Sequence, residues 1–278
     1  MDLHKIEKIL YKEKPNYLIV QGDTNTALAG CLAASIYNRK YLIDHKMNPR
    51  FKTVIIDEAQ DMMTQNLLGS IDACMYGGLE SGNWWVFCDK NNQAAVFGKF
   101  EETAFSRLKK LGENYLLYKN LRNTRQISDE TIMLTRPKIC PHVEIDGAVP
   151  VQTIFYKDNN EQASKLKNTL LKLMKDQVRP SEITVLSPLK NEEGCATLLS
   201  SQLKNSALNH KNRLILLNPL LSKNITSLEN STSTIFFCSI SAFKGLEKDF
   251  IVITDIDNLS KEWWRSVLYV GMSRARVG

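Results

Sequence analysis

The segment TVIIDEAQDM, residues 53–62, joins an apolar strand candidate to two adjacent carboxylates. In an open α/β sheet, ligands gather at the carboxyl ends of the strands, which is where Asp57 and Glu58 fall. Asp57 is suited to holding Mg2+, directly or through water, because hard oxygen ligands match that ion. Glu58, one position on, is suited to orienting or deprotonating a water that attacks a γ-phosphate. Gln60 and Asp61 then open the next helix. The competing reading is structural: a strand running into a solvated helix start, where Asp is a favoured cap.

Such a pair needs a phosphate-binding loop as its companion. The pattern G-x-x-x-x-G-K-S/T cradles phosphates on backbone amides, neutralises them with Lys and completes the Mg2+ shell with a hydroxyl. The chain contains neither G-K-S nor G-K-T. The nearest segment is YLIVQGDTNTALAGCLAASIY, residues 17–37, with strand–turn–helix order and Gly22 at the turn. Asp23 there repels phosphate, and Thr24 and Thr26 are the side chains within reach of a metal. The segment reads as a degenerate P-loop remnant; the alternative is an unrelated strand–helix start. Losing the Lys contact is expected to lower a phosphoryl-transfer rate by a factor of roughly a hundred or more.

Four further segments follow in order. Residues 86–97, VFCDKNNQAAVF, carry Asp89 and Gln93. Residues 120–127, NLRNTRQI, carry Arg122. Residues 239–253, SISAFKGLEKDFIVI, carry Lys244, Gly245 and Glu247, and residues 268–276, LYVGMSRAR, carry Arg274. With the DEAQD string, this series resembles the motifs of UvrD/Rep-type superfamily-one DNA helicases, the compact DEAQ-box members above all. Cys88 stands where the family has Gly.

The resemblance implies a Walker B role for Asp57, with Mg2+ on it, and for Glu58. It places Gln60 and Asp89 at the nucleotide, and Gln93 and Arg122 as γ-phosphate contacts. Lys244 and Gly245 would lie beside DNA backbone and nucleotide, Glu247 on the ribose, and Arg274 would be the arginine finger of a second domain. Arginines on two domains that grip one γ-phosphate couple cleft closure to nucleotide state. The implied fold is α/β, with two RecA-like P-loop-NTPase-type domains of mainly parallel sheets, the first shortened. The implied function is an ATP- and Mg2+-dependent helicase or translocase on single-stranded DNA, with RNA as a second substrate class. Without the P-loop lysine it is impaired or dependent on a protein partner. The alternatives are a catalytically silent helicase-like subunit that holds single-stranded nucleic acid or a protein, and a nucleotide-switched defence component.

The elements that must position these residues are short, apolar strand candidates. They are residues 17–20, 53–57, 84–88, 115–118, 151–156, 183–187, 233–239 and 250–256. Several are apolar throughout, which suits strands covered on both faces. Helical stretches lie at 26–38, 101–111 and 126–134, and at 161–176, where Ala163, Leu166, Leu170, Leu173 and Met174 share one stripe. This alternation argues for parallel α/β layers. A boundary near residues 112–120 gives a partial first domain, 1–115, and a second, 116–278, with an irregular insertion at 200–234. The chain ends two residues after Arg276, which reads as a truncated product or one half of a split protein.

Net charge is +6, from 36 basic and 30 acidic residues, which permits a polyanionic partner without requiring one. No apolar run is long enough to cross a bilayer, and the N-terminus lacks a secretory core, so a cytoplasmic protein is expected. The six cysteines show no C-x-x-C spacing and read as buried, reduced thiols. Four histidines argue against a zinc site.

Overall fold

The computed structural model describes residues 17–21, 51–89, 100–140, 142–147, 149–190, 193–205, 215–218 and 234–278. The chain divides into two compact units, Met1–Leu117 and Tyr118–Gly278. The fold is α/β, and every strand pairing among the described residues is parallel.

The first unit is built on a sheet of order β1-β2-β3, formed by Tyr17–Gln21, Thr53–Asp57 and Asn83–Val86. The central strand β2 aligns Asp57 with Gln21 on one side and Ile56 with Val86 on the other. Its Val54 and Ile56 are buried, as a central parallel strand requires. Helices α1 (Gln65–Cys74), α2 (Gly78–Ser81) and α3 (Glu102–Leu111) supply the rest of the core, with Leu68, Met75, Leu79 and Leu108 inside it. Thr64 caps α1 by accepting the Leu67 amide at 3.2 Å, which satisfies one of the free N–H groups of the first turn. The Trp84 indole donates to the Leu79 carbonyl at 2.9 Å. Gly112 is fixed by the same ring, since a Cβ there would fall 2.3 Å from it.

The second unit carries a four-stranded sheet of order β7-β8-β6-β9. Its strands are β6 (Ile183–Ser187), β7 (Ile215–Leu217), β8 (Thr234–Ser239) and β9 (Phe250–Ile253). All five residues of β6 are buried, Thr184 and Ser187 among them, which marks a strand covered on both faces. Before it come a short ladder of β4 (Lys119–Asn120) and β5 (His142–Val143), and helices α4 (Arg125–Thr135) and α5 (Asn159–Lys175). Asp158 caps α5, accepting the Asn160 and Glu161 amides at 2.9 Å. Ala163, Leu166 and Leu170 of α5 enter one core with Ile183, Val185 and Ile235. Helices α6 (Cys195–Asn205) and α7 (Glu262–Met272) complete the unit, and α7 packs on α4. After α7 the chain runs beside β9: the Lys248 amide donates to Arg274 O at 3.0 Å and the Ile251 amide to Gly278 O at 2.8 Å.

Two strand expectations fail. Residues 115–118 and 151–156 form no regular strand. Tyr115 is 76% exposed, Leu117 85% and Phe155 83%, so neither run has the covering layer that makes β-prone residues pair. The helix expected to open at Gln60 is instead a single 3-10 turn, Ala59–Asp61, and α1 starts only after the Thr64 cap. Within 200–234, expected to be irregular, α6 continues to Asn205 and β7 is present. The helix expected at 26–38 lies outside the described residues. Among the described residues, no helix is long and apolar enough to cross a membrane.

Candidate functional site

At the carboxyl edge of the first sheet, β2 ends at the exposed Asp57, whose Oδ1 accepts the Glu58 amide at 2.9 Å. Glu58 then turns the chain through a left-handed conformation, φ 51° and ψ 38°. For a residue with a Cβ this region costs of order 1–3 kcal/mol and persists only where surrounding contacts enforce it. The enforcing contacts are visible. Gln60, 0% exposed, donates its side-chain amide to the Glu58 carboxylate and accepts the Asp89 amide on Oε1 at 3.0 Å. The Ala59 amide donates to Phe87 O at 2.9 Å, and the Phe87 amide to Ile56 O at 2.8 Å. The exits of β2 and β3 are thereby fastened together, and Glu58 is held in one orientation. A fixed carboxylate beside a second, exposed one can ligate a cation or exchange a proton. Among the described residues, no group of three or more His, Cys, Asp and Glu is placed to hold a metal. Gly22, Thr24, Thr26 and Gln93 lie outside the described residues.

In the second unit, Arg122 meets Glu247, with Nε 3.0 Å from Oε2. Arg276, which the sequence reading passed over, lies 3.3 Å from Oε1 of the same carboxylate and 2.9 Å from Asp249. The sequence reading also missed Asn123. It is buried, donates to Ala275 O at 2.5 Å and accepts from the Asn120 side chain at 2.8 Å, which pins the loop bearing Arg122 to the end of α7. No one-dimensional spacing links residues 123 and 275; only the repeated Asn of NLRN hinted at a side-chain-bonded turn. Lys244 and Arg274 are both buried, and Arg274 Nε donates back to the Val270 carbonyl at 3.3 Å. Gly245 takes φ +82°, the left-handed turn that glycine permits. Asp57 and Glu58 belong to the first unit and Arg122 and Arg274 to the second.

The Arg122 guanidinium, and next to it Arg276, holds the Glu247 carboxyl below the usual carboxylate range. Because folding lowers this pKa, the pairing stabilises at pH values above that range and is lost as pH falls through the folded value. The group is solvent-exposed, so the loss is small. Glu247→Gln is expected to cost about 0–1 kcal/mol at neutral pH and nothing in strong acid, read as the pH dependence of urea midpoints.

The carboxyl edge of the second sheet is closed by the protein itself. Asp255, left-handed at φ 61°, accepts the Cys195 amide at the start of α6 on both oxygens, at 3.1 and 3.2 Å. The Thr254 hydroxyl donates to it at 2.8 Å, and the buried Gln162 amide donates to Oδ1 at 3.2 Å while accepting the Asp255 amide at 2.7 Å. A helix N-terminus favours an anion, and here an internal carboxylate supplies it. Burial, then Asp255 and Asp257, push the nearby Tyr156 hydroxyl up. Burial likewise raises the Cys74 and Cys238 thiols to about 11 and Cys195 to about 12, as inert core thiols should be. Cys140, against expectation, is exposed, and Cys31 lies outside the described residues.

No family model matches the chain. The chain is 70% identical over 33 residues to the UDP-N-acetylglucosamine 2-epimerase of Methanococcus maripaludis, covering 12% of this chain and 9% of that protein. It is 67% identical over 33 residues to the enzyme of that name from Methanocaldococcus jannaschii, with the same coverages of 12% and 9%. A UDP-N-acetylglucosamine 2-epimerase homolog from M. maripaludis matches at 39% over 69 residues, 22% of this chain and 19% of that protein. The chain thus spans less than a fifth of the length of the curated relatives it matches.

The helicase reading does not stand. The proteins matched are named for sugar-nucleotide epimerisation, not for helicase action. With it fall ATP-dependent translocation, DNA binding and the silent nucleic-acid-binding alternative. The physical reason lies in how undemanding the motifs are one by one. Carboxylates at a parallel strand end and arginines after helices serve many α/β proteins. In the second unit Glu247 bridges two arginines, and Arg274 bonds back to its own helix.

Proposed function

We propose that the chain binds a phosphorylated ligand of the nucleotide-sugar class at the carboxyl edge of its first sheet, with Asp57 and Glu58 as the contacting carboxylates. The observation that carries the proposal is the left-handed Glu58 held by a fully buried glutamine at that edge. Backbone strain maintained at a strand end is a mark of functional positioning, and parallel α/β sheets take ligands there. The short identities to proteins named UDP-N-acetylglucosamine 2-epimerase support this choice of ligand class. Two carboxylates repel a diphosphate, so a hydrated divalent cation on Asp57 is part of the proposal; Mg2+ is commonly held by one or two carboxylates and substrate phosphates. Inversion at a C–H centre needs groups that take and return a proton, and Glu58 is the positioned carboxylate for that task. Arg122 and Arg276 are the candidate anion contacts of the second unit, while Lys244, Gly245 and Arg274 serve its packing and turns. The finer architecture belongs to the same proposal. Each unit is an open parallel layer of Rossmann-like or P-loop type, RecA-like being one form of it, with domains read as 1–115 and 116–278.

Calorimetric titration with UDP-N-acetylglucosamine, with and without MgCl2, tests this reading. Binding is expected only with Mg2+, and Asp57→Asn should weaken it about tenfold or more, roughly 1.4 kcal/mol. Absence of heat in both buffers, or equal affinity of Asp57→Asn and the unaltered protein, contradicts it.

A further inference from the structure

We propose that Gln60 is a positioning residue that relays the placement of the β3 exit, at Asp89, to the carboxylate of Glu58. The inference rests on the proposed site for its functional consequence, but its geometry stands alone. Gln60 is 0% exposed, so its amide cannot exchange partners with bulk water. Its two ends face different elements: the nitrogen meets the Glu58 carboxylate, and Oε1 accepts the Asp89 amide at 3.0 Å. A planar amide transmits orientation rigidly, because turning one end turns the other. A shift of the backbone at Asp89 rotates the amide and withdraws the donor that keeps Glu58 left-handed at φ 51°. The parallel pairing of Ile56 with Val86 holds the strands themselves, so this movement is confined to their exits. Ligand or partner contacts on the β3 exit would therefore reach the Glu58 carboxylate through Gln60, alongside the backbone link from the Ala59 amide to Phe87 O.

Two substitutions separate the ends of the relay. Gln60→Glu, measured above the pH at which the buried carboxylate pair shares a proton, keeps an acceptor for the Asp89 amide but removes the donor to Glu58. Gln60→Met preserves the volume and removes both. Amide hydrogen exchange at Asp89 is expected to stay within about twofold of the parent in Gln60→Glu and to rise about tenfold in Gln60→Met. In both variants, backbone chemical shifts should show Glu58 leaving the left-handed region, and affinity for UDP-N-acetylglucosamine with Mg2+ should fall about tenfold. A purely structural role predicts parallel changes in the two variants at Asp89. Glu58 remaining left-handed in both overturns the relay, and should Gln60→Glu not fold, Gln60→Met alone decides that point. Glu58 rearranged with affinity unchanged upholds the relay and removes the nucleotide-sugar ligand from this edge.

Discussion

Asp255→Ala is expected to cost the second unit about 2–4 kcal/mol, with Asp255→Asn losing under about 1 kcal/mol. The carboxylate caps α6 through the Cys195 amide and receives the Thr254 hydroxyl and the Gln162 amide. Losing an N-cap acceptor costs roughly 0.5–2 kcal/mol. Leaving the buried Gln162 amide without its partner adds about 1–3 kcal/mol. Asparagine keeps an oxygen for the Cys195 amide and tolerates the left-handed backbone found at Asp255, so most of the clasp survives. Urea denaturation of the three proteins measures the difference. A loss below about 0.5 kcal/mol for Asp255→Ala contradicts the clasp.

Leu170→Ala should destabilise by about 2–5 kcal/mol, and Leu171→Ala by no more than about 0.5 kcal/mol. Leu170 is fully buried in the core of the second unit among Ile183, Leu199 and Ile235, whereas its neighbour Leu171 is exposed. A methyl left in place of the isobutyl group opens a cavity between α5 and the sheet that neither can collapse to fill. Paired thermal and urea unfolding of the two variants checks the contrast. Similar losses at both positions would mean that α5 sits in another rotational setting.

That contrast was legible before any coordinates. The stripe of Ala163, Leu166, Leu170, Leu173 and Met174 predicts the inward face of α5, and those residues line its core side. Strands buried on both faces, such as ITVLS at 183–187, were legible from a short β-branched and apolar segment set between helical stretches. The run YLLY at 115–118 is equally apolar and remains in solvent, because β propensity carries no information about whether a partner strand exists. At the candidate site, the carboxylates at the end of β2 were legible from a strand that stops at Asp57. The contacts of Gln60 were not. One of its two bonds is to the β3 exit, 29 residues on, which no local spacing reveals. The Asp255 clasp joins elements 60 residues apart and has no local signature at all. The motif series misled for a related reason. Each match recorded residue types at spacings, and the geometry that gives such types a chemical role is tertiary.

The most direct measurement is a set of amide spectra of the 15N-labelled chain, titrated with UDP-N-acetylglucosamine in the presence of Mg2+. Binding at the first sheet edge predicts saturable shifts of the amides of residues 57–61 and 87–89, which become much smaller in Asp57→Asn. Shifts confined to other surfaces, or no shift at millimolar ligand, would contradict it.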